Sequence, residues 1–169
     1  MPFMADGAVP TTQAVTVPDE SALASLACRL VATLPPRAFV ALEGDLGAGK
    51  TTFVKAVARA VGIDPADVVS PTFGLIHVHV LATSTDEPRP DSPERLVHAD
   101  LYRLSGMSDL AEIGWEDATA GRCWVFVEWP SRAAAALPAD RLDIAITIDS
   151  ETARTFCFTP RGVFKQAAL

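Results

Sequence analysis

The sequence predicts an α/β fold: one domain with a mixed, mostly parallel central sheet flanked by helices, plus an antiparallel portion. Three observations predict it. Residues 38–43 form an apolar run that passes through a glycine-rich turn directly into a helical pattern. Cys123-Trp124-Val125-Phe126-Val127 is unbroken apolar sequence ending in Glu128, the mark of a strand buried on both faces. Leu142–Ile148 and Arg154–Thr159 each alternate apolar and polar residues and read together as a closing hairpin.

The elements follow in order. Residues 1–12 are small, polar and proline-containing, a loose tail ahead of a domain spanning 13–162, with 163–169 as a C-terminal tail. Ala14–Val17 reads as a short strand. Pro18-Asp19-Glu20-Ser21 opens a helix with acidic residues at its positive end, and Leu23, Leu26, Ala27, Leu30 and Leu34 recur at helical spacing until Pro35-Pro36 stops it. A second helix over 50–61 presents Phe53, Val57 and Val61 to the sheet, with Gly62 as its cap. After a connection over 63–70, Gly74–Leu81 is β-like, and residues 82–93 form a proline-rich mobile loop. Arg95–Ala99 is the next strand, paired antiparallel with the previous one. Short helical turns are expected around Asp109–Ile113, and a short helix over Ser131–Ala136 ahead of Pro138.

Composition narrows the function classes. The chain of 169 residues is long enough for one core, and nearly half its residues are hydrophobic. Its net charge is −7 with lysine only at 50, 55 and 165, so there is no basic stripe for gripping RNA or DNA directly. Cys28, Cys123 and Cys157 are scattered and odd in number, which fits reduced thiols in a cytoplasmic protein. No secretory signal is evident at the N-terminus, and no apolar stretch is long enough to span a bilayer.

The chemistry is concentrated in Gly44-Asp45-Leu46-Gly47-Ala48-Gly49-Lys50-Thr51-Thr52. Gly44, Gly49, Lys50 and Thr51 meet the G-x-x-x-x-G-K-[ST] spacing of a phosphate-binding loop. Glycines let consecutive N–H groups turn inward around an anion, and the following helix adds its own unsatisfied N–H groups. Lys50 can then reach β- and γ-phosphates, and Thr51 can present a hydroxyl to Mg²⁺. Such a loop needs a carboxylate at the end of a neighbouring strand. Glu128 and Asp100 both qualify.

Other residues are weaker signals. Ser70-Pro71-Thr72-Phe73 offers two hydroxyls in a region that often senses a γ-phosphate, although a Ser-Pro-Thr turn is also ordinary punctuation before a strand. His77 and His79 share one strand face, and a solvated face explains them better than a metal does. Trp129 is expected to point away from Glu128 by strand alternation.

Taken together, the glycine loop, Ser70-Pro71-Thr72-Phe73, His98-Ala99-Asp100-Leu101-Tyr102-Arg103-Leu104 and Glu128-Trp129-Pro130 resemble, in order and spacing, the bacterial TsaE family. The resemblance covers roughly residues 14–160. It implies a small P-loop ATPase of tRNA threonylcarbamoyladenosine biosynthesis that uses ATP and Mg²⁺. The implied partner is a TsaB–TsaD-like complex, which the ATPase resets between turnovers, so that tRNA is met only through partners and membrane or DNA not at all. By position, the resemblance assigns residues Gly47–Thr52 to the phosphates, with Gly44 and Asp45 also binding the nucleotide, and Thr51 and Glu128 to Mg²⁺. Lys50, Asp100 and Thr72 become the catalytic set, with Asp100 supporting the metal or the attacking water. Trp129 falls near the site, and Glu20 and Arg154 fall at more distant nucleotide contacts. The chain departs from the family in its long loop 82–93 and in Gly114-Trp115-Glu116-Asp117.

Three other readings compete. A small-molecule kinase would need an arginine-bearing lid, and no such segment is visible. A GTP-operated switch would carry N-K-x-D, and the chain contains no asparagine. An assembly factor in which hydrolysis is incidental stays open on sequence alone.

Overall fold

The computed structural model describes residues 11–71, 75–82, 91–162 and 164. In chain order these form β1 (Gln13–Val17), α1 (Glu20–Thr33), β2 (Ala38–Glu43), α2 (Lys50–Ala60), β3 (Ile76–Val80), β4 (Arg95–Asp100), α3 (Met107–Glu112), α4 (Trp115–Thr119), β5 (Cys123–Glu128), β6 (Arg141–Ile148) and β7 (Arg154–Arg161). The strands make one seven-stranded sheet in the order β1-β7-β6-β2-β5-β4-β3. Its centre, β6-β2-β5-β4, is parallel, and the pairs β1–β7, β6–β7 and β3–β4 are antiparallel.

Local chemistry sets the element ends. The Asp19 carboxylate accepts the Ala22 N–H at 2.8 Å and caps α1, relieving one of the helix's unsatisfied donors. α2 closes with a Schellman pair. Gly62, in the left-handed region at φ 83°, donates its N–H to the Arg59 carbonyl, and Ile63 donates to the Ala58 carbonyl.

α1 and α2 cover one face of the sheet. Leu26 and Leu30 of α1 and Phe53, Val54 and Val57 of α2 pack there on Val40, Leu42, Phe126, Ile144 and Phe156. The other face buries Phe39, Val97, Val125 and Val127 beneath Leu110, Trp115 and Ala133. β5 is buried along its whole length, as an interior parallel strand must be. No helix among the described residues is long and apolar enough to cross a membrane.

Several details differ from the sequence reading. The connection 63–70 contains a 3₁₀ turn over Pro65–Asp67, capped by Asp64. Residues 107–119 divide into two helices at Gly114, which takes φ 71°. Pro130–Ala136 is 3₁₀ rather than a continuous helix, with a break at Ala133. The histidine face of β3 is also inverted. Val78 and Val80 are exposed, while His77 and His79 are half-buried. The cause is register: antiparallel pairing sets His77 opposite the buried His98 of β4, so both histidines share its face.

Candidate functional site

Parallel strands bring their carboxyl ends to one edge, and the glycine loop crosses that edge between β2 and α2. The loop is tightly seated. A Cβ on Gly44 would stand 2.8 Å from the Ile146 backbone oxygen and 3.0 Å from the Ala48 Cβ, so only glycine lets β2 turn against β6 there. Gly49, at φ 101°, is the residue from which α2 starts. Inside the turn, Ala48 N–H donates to the Asp45 carbonyl at 3.0 Å.

Lys50 begins α2 and is almost fully buried. Its ammonium donates to the Gly44 carbonyl at 2.7 Å and the Asp45 carbonyl at 2.9 Å. Burial pushes its pKa below the ordinary lysine value, against the opposing pull of Glu128, Asp100, Glu43 and Asp45. The next residue, Thr51, donates its hydroxyl to Glu128 Oε1 at 2.6 Å.

β4 and β5 run in register so that Asp100 and Glu128 are direct neighbours, and both carboxylates are nearly buried. Asp100 Oδ1 accepts the Tyr102 N–H at 3.0 Å, and its Oδ2 accepts the Ser70 hydroxyl at 3.2 Å. The structure thus brings Gly44, Asp45, Lys50, Thr51, Asp100, Glu128 and Ser70 into one cluster. Thr72, the neighbouring hydroxyl of that segment, lies outside the described residues.

Trp129 departs from its expected direction. β5 ends at Glu128, and Trp129 takes the left-handed conformation at φ 57°, which cancels the strand's alternation. Its ring centroid lies 4.1 Å from Lys50 Nζ and 5.0 Å from the Tyr102 ring.

On the other side of the loop, Glu20 and Arg154 border a cavity of about 420 Å³ that also touches Gly47, Gly49, Thr52 and Phe156. Arg154 Nε donates to the Ala48 carbonyl at 3.2 Å, tying β7 to the loop. A larger cavity, about 710 Å³, lies at the opposite strand ends beside Arg37, Trp115 and Cys123, away from every loop residue.

The oxygen-rich cluster suits a hard divalent cation. Thr51 supplies a hydroxyl, and Glu128 and Asp100 supply carboxylates. No three His, Cys, Asp or Glu side chains among the described residues are grouped to hold a metal alone. The hydroxyl and the two carboxylates are a donor set that fits Mg²⁺, which takes one or two protein carboxylates and completes its shell with phosphate oxygens and water.

One residue of the cluster was not singled out from the sequence. His98 Nε2 lies 2.8 Å from Glu128 Oε1, with the ring wholly buried. Its signal was available: His98 stands two residues before Asp100, hence on the same strand face.

Residues 17–156 match the family described as "Threonylcarbamoyl adenosine biosynthesis protein TsaE". Proteins named tRNA threonylcarbamoyladenosine biosynthesis protein TsaE are similar to the chain in several bacteria. That of Bacillus subtilis is 35% identical over 127 residues, 75% of this chain and 72% of its own. That of Nostoc sp. is 34% identical over 145 residues, 84% and 82%. That of Rickettsia conorii is 32% identical over 114 residues, 68% of this chain and 59% of its own, so the match spans about three fifths of that relative's length. The crystal structure of Bacillus subtilis YdiB superposes with a TM-score of 0.66 at 28% identity, covering 92% of this chain and 90% of that one.

Proposed function

The chain belongs to the TsaE family, and on that premise we propose that it binds and hydrolyses ATP with Mg²⁺ in the service of tRNA threonylcarbamoyladenosine formation. In this reading it acts in the cytoplasm on a TsaB–TsaD-like complex, permitting repeated turnover, and meets tRNA only through those partners. The observation that carries the reading is the joining of Thr51 to Glu128 at 2.6 Å, beside Lys50, at the mouth of a glycine loop.

Each residue then has a task. The loop's N–H groups and the start of α2 receive the phosphates. Lys50, already a donor to two loop carbonyls, supplies the cation that follows charge onto the terminal phosphate. Thr51 and Glu128 hold Mg²⁺, which neutralises phosphate charge when bound. Asp100, oriented by Ser70 and the Tyr102 N–H, orients the attacking water. Arg154 and Glu20 contact the nucleoside side of the ligand in their cavity. The net charge of −7 leaves tRNA phosphates to the partners.

The test is steady-state ATP hydrolysis by the purified protein, alone and with the TsaB–TsaD pair from the same source, with Lys50→Ala as control. Slow hydrolysis alone and strong, Lys50-dependent stimulation by the pair is the expected result. Hydrolysis indifferent to the pair, with no complex formed, overturns the tRNA-modification assignment.

A further inference from the structure

We propose that His98 is a positioning residue for Glu128, holding one carboxylate oxygen so that the other stays available to the divalent cation. The proposal rests on the reading of Thr51 and Glu128 as the metal side of the site. Its observations are independent of that reading. Thr51 Oγ1 at 2.6 Å and His98 Nε2 at 2.8 Å both meet Oε1 of Glu128. No donor among the described residues is recorded on Oε2. Two donors on one oxygen fix the plane of the carboxylate and leave the second oxygen with unspent acceptor capacity, which is what a cation requires.

The placement of His98 argues against a merely structural ring. On β4 it lies between Val97 and Ala99 and beyond Leu96, all fully buried, at a position where an aliphatic side chain would pack without desolvating a polar group. Its Nδ1 is buried and finds no partner among the described residues. Among the described residues, the contact with Glu128 is therefore the ring's one polar tie. A carboxylate offers only acceptors, so the ring donates from Nε2, and that demand selects the tautomer. Register makes the reach possible. His98 is the direct neighbour of Phe126 on β5, so it meets Glu128 across the diagonal, two residues further along the same face.

The test measures metal binding separately from turnover. Mn²⁺ serves as an observable substitute for Mg²⁺, titrated by electron paramagnetic resonance into the protein with saturating ADP. ADP affinity is measured by calorimetry in EDTA. His98→Leu is expected to weaken Mn²⁺ binding about 10- to 100-fold, the usual effect of removing a residue that orients a metal ligand, while ADP affinity in EDTA stays at the wild-type value. His98→Gln, whose amide nitrogen reaches the place of Nε2, is expected to recover most of the loss. His98→Asn, too short to reach, is not. The Gln and Asn pair keeps the test decisive even where the Leu variant does not fold. Wild-type Mn²⁺ affinity in His98→Leu, or in Asn as in Gln, overturns the proposal. Glu128→Gln run alongside separates the two levels. Mn²⁺ binding that depends on Glu128 but not on His98 overturns only the positioning role, whereas binding indifferent to Glu128 overturns the reading beneath it as well.

Discussion

The indole of Trp129 faces the ammonium of Lys50 at 4.1 Å, and it does so from a left-handed backbone conformation. A bulky residue in that conformation costs about 1–2 kcal/mol, so the surroundings must hold it there. Pro130 follows and starts a 3₁₀ turn, while the rings of Tyr102 and Trp129 lie 5.0 Å apart with Arg132 over Tyr102. The consequence is an aromatic wall against the lysine that a phosphate would engage. The other two tryptophans, Trp115 and Trp124, are buried away from the loop. Adding Mg²⁺ and ADP is therefore expected to change the intrinsic fluorescence of the wild type and to leave Trp129→Phe unresponsive. An equal response in both proteins would show that the indole does not sense the site.

Lys50 makes the second prediction, through pH. Burial lowers its folded pKa below the usual 10.5. Between the lowered value and the ordinary one, the unfolded chain binds the proton and the folded chain does not. The Lys50 contribution to stability must therefore rise with pH through that window and be flat below it. Urea unfolding of wild type and Lys50→Met from pH 7 upwards is expected to show the wild type gaining on the variant as pH approaches the ordinary lysine range. Curves that stay parallel would mean the lysine is not desolvated in solution.

Gly44 tests the seating of the loop. An added methyl collides with the Ile146 carbonyl, which is backbone and cannot swing aside. Gly44→Ala is expected to lose about 1–3 kcal/mol and to bind ADP more weakly, because relief of the clash moves the turn that presents the N–H groups. Gly62→Ala is a useful contrast. Its Cβ would meet nothing, so the cost comes from the left-handed backbone alone, about 1–2 kcal/mol, and ADP binding is spared.

How much of this was legible beforehand depends on whether a feature is set locally. The loop, the buried run of β5 and the acidic start of α1 are short-range, and residue spacing announces them. Pairing is not local. Nothing in Gln13–Val17 says that it joins the edge of the sheet beside β7, and nothing in Ile76–Val80 says that its valines face outward. Strand alternation gives the wrong direction for Trp129 because β5 ends at Glu128 and the next residue's backbone reverses its hand. Spacing puts His98 on the same strand face as Asp100, but its contact with Glu128 crosses two strands on a diagonal that register alone defines. Glu20 and Arg154 lie far from the loop in sequence, yet the fold sets both against the cavity beside it, since β7 returns antiparallel to β6 and carries Arg154 back to Ala48.

Phe53 links the loop's helix to that same returning strand. It lies in the first turn of α2, has no exposed surface, and sets its ring 5.1 Å from Phe156 of β7. Phe53→Ala is expected to cost about 3–5 kcal/mol, read as a lower urea midpoint with an unchanged slope. The loop itself keeps its glycines and Lys50, so the variant should still be stabilised by Mg²⁺ and ADP through binding to the folded state. Lys50→Ala should show the reverse, a modest loss of stability with little rescue by nucleotide. A Phe53→Ala protein that folds but gains nothing from Mg²⁺ and ADP would mean that this aromatic pair shapes the site itself as well as anchoring the helix behind it.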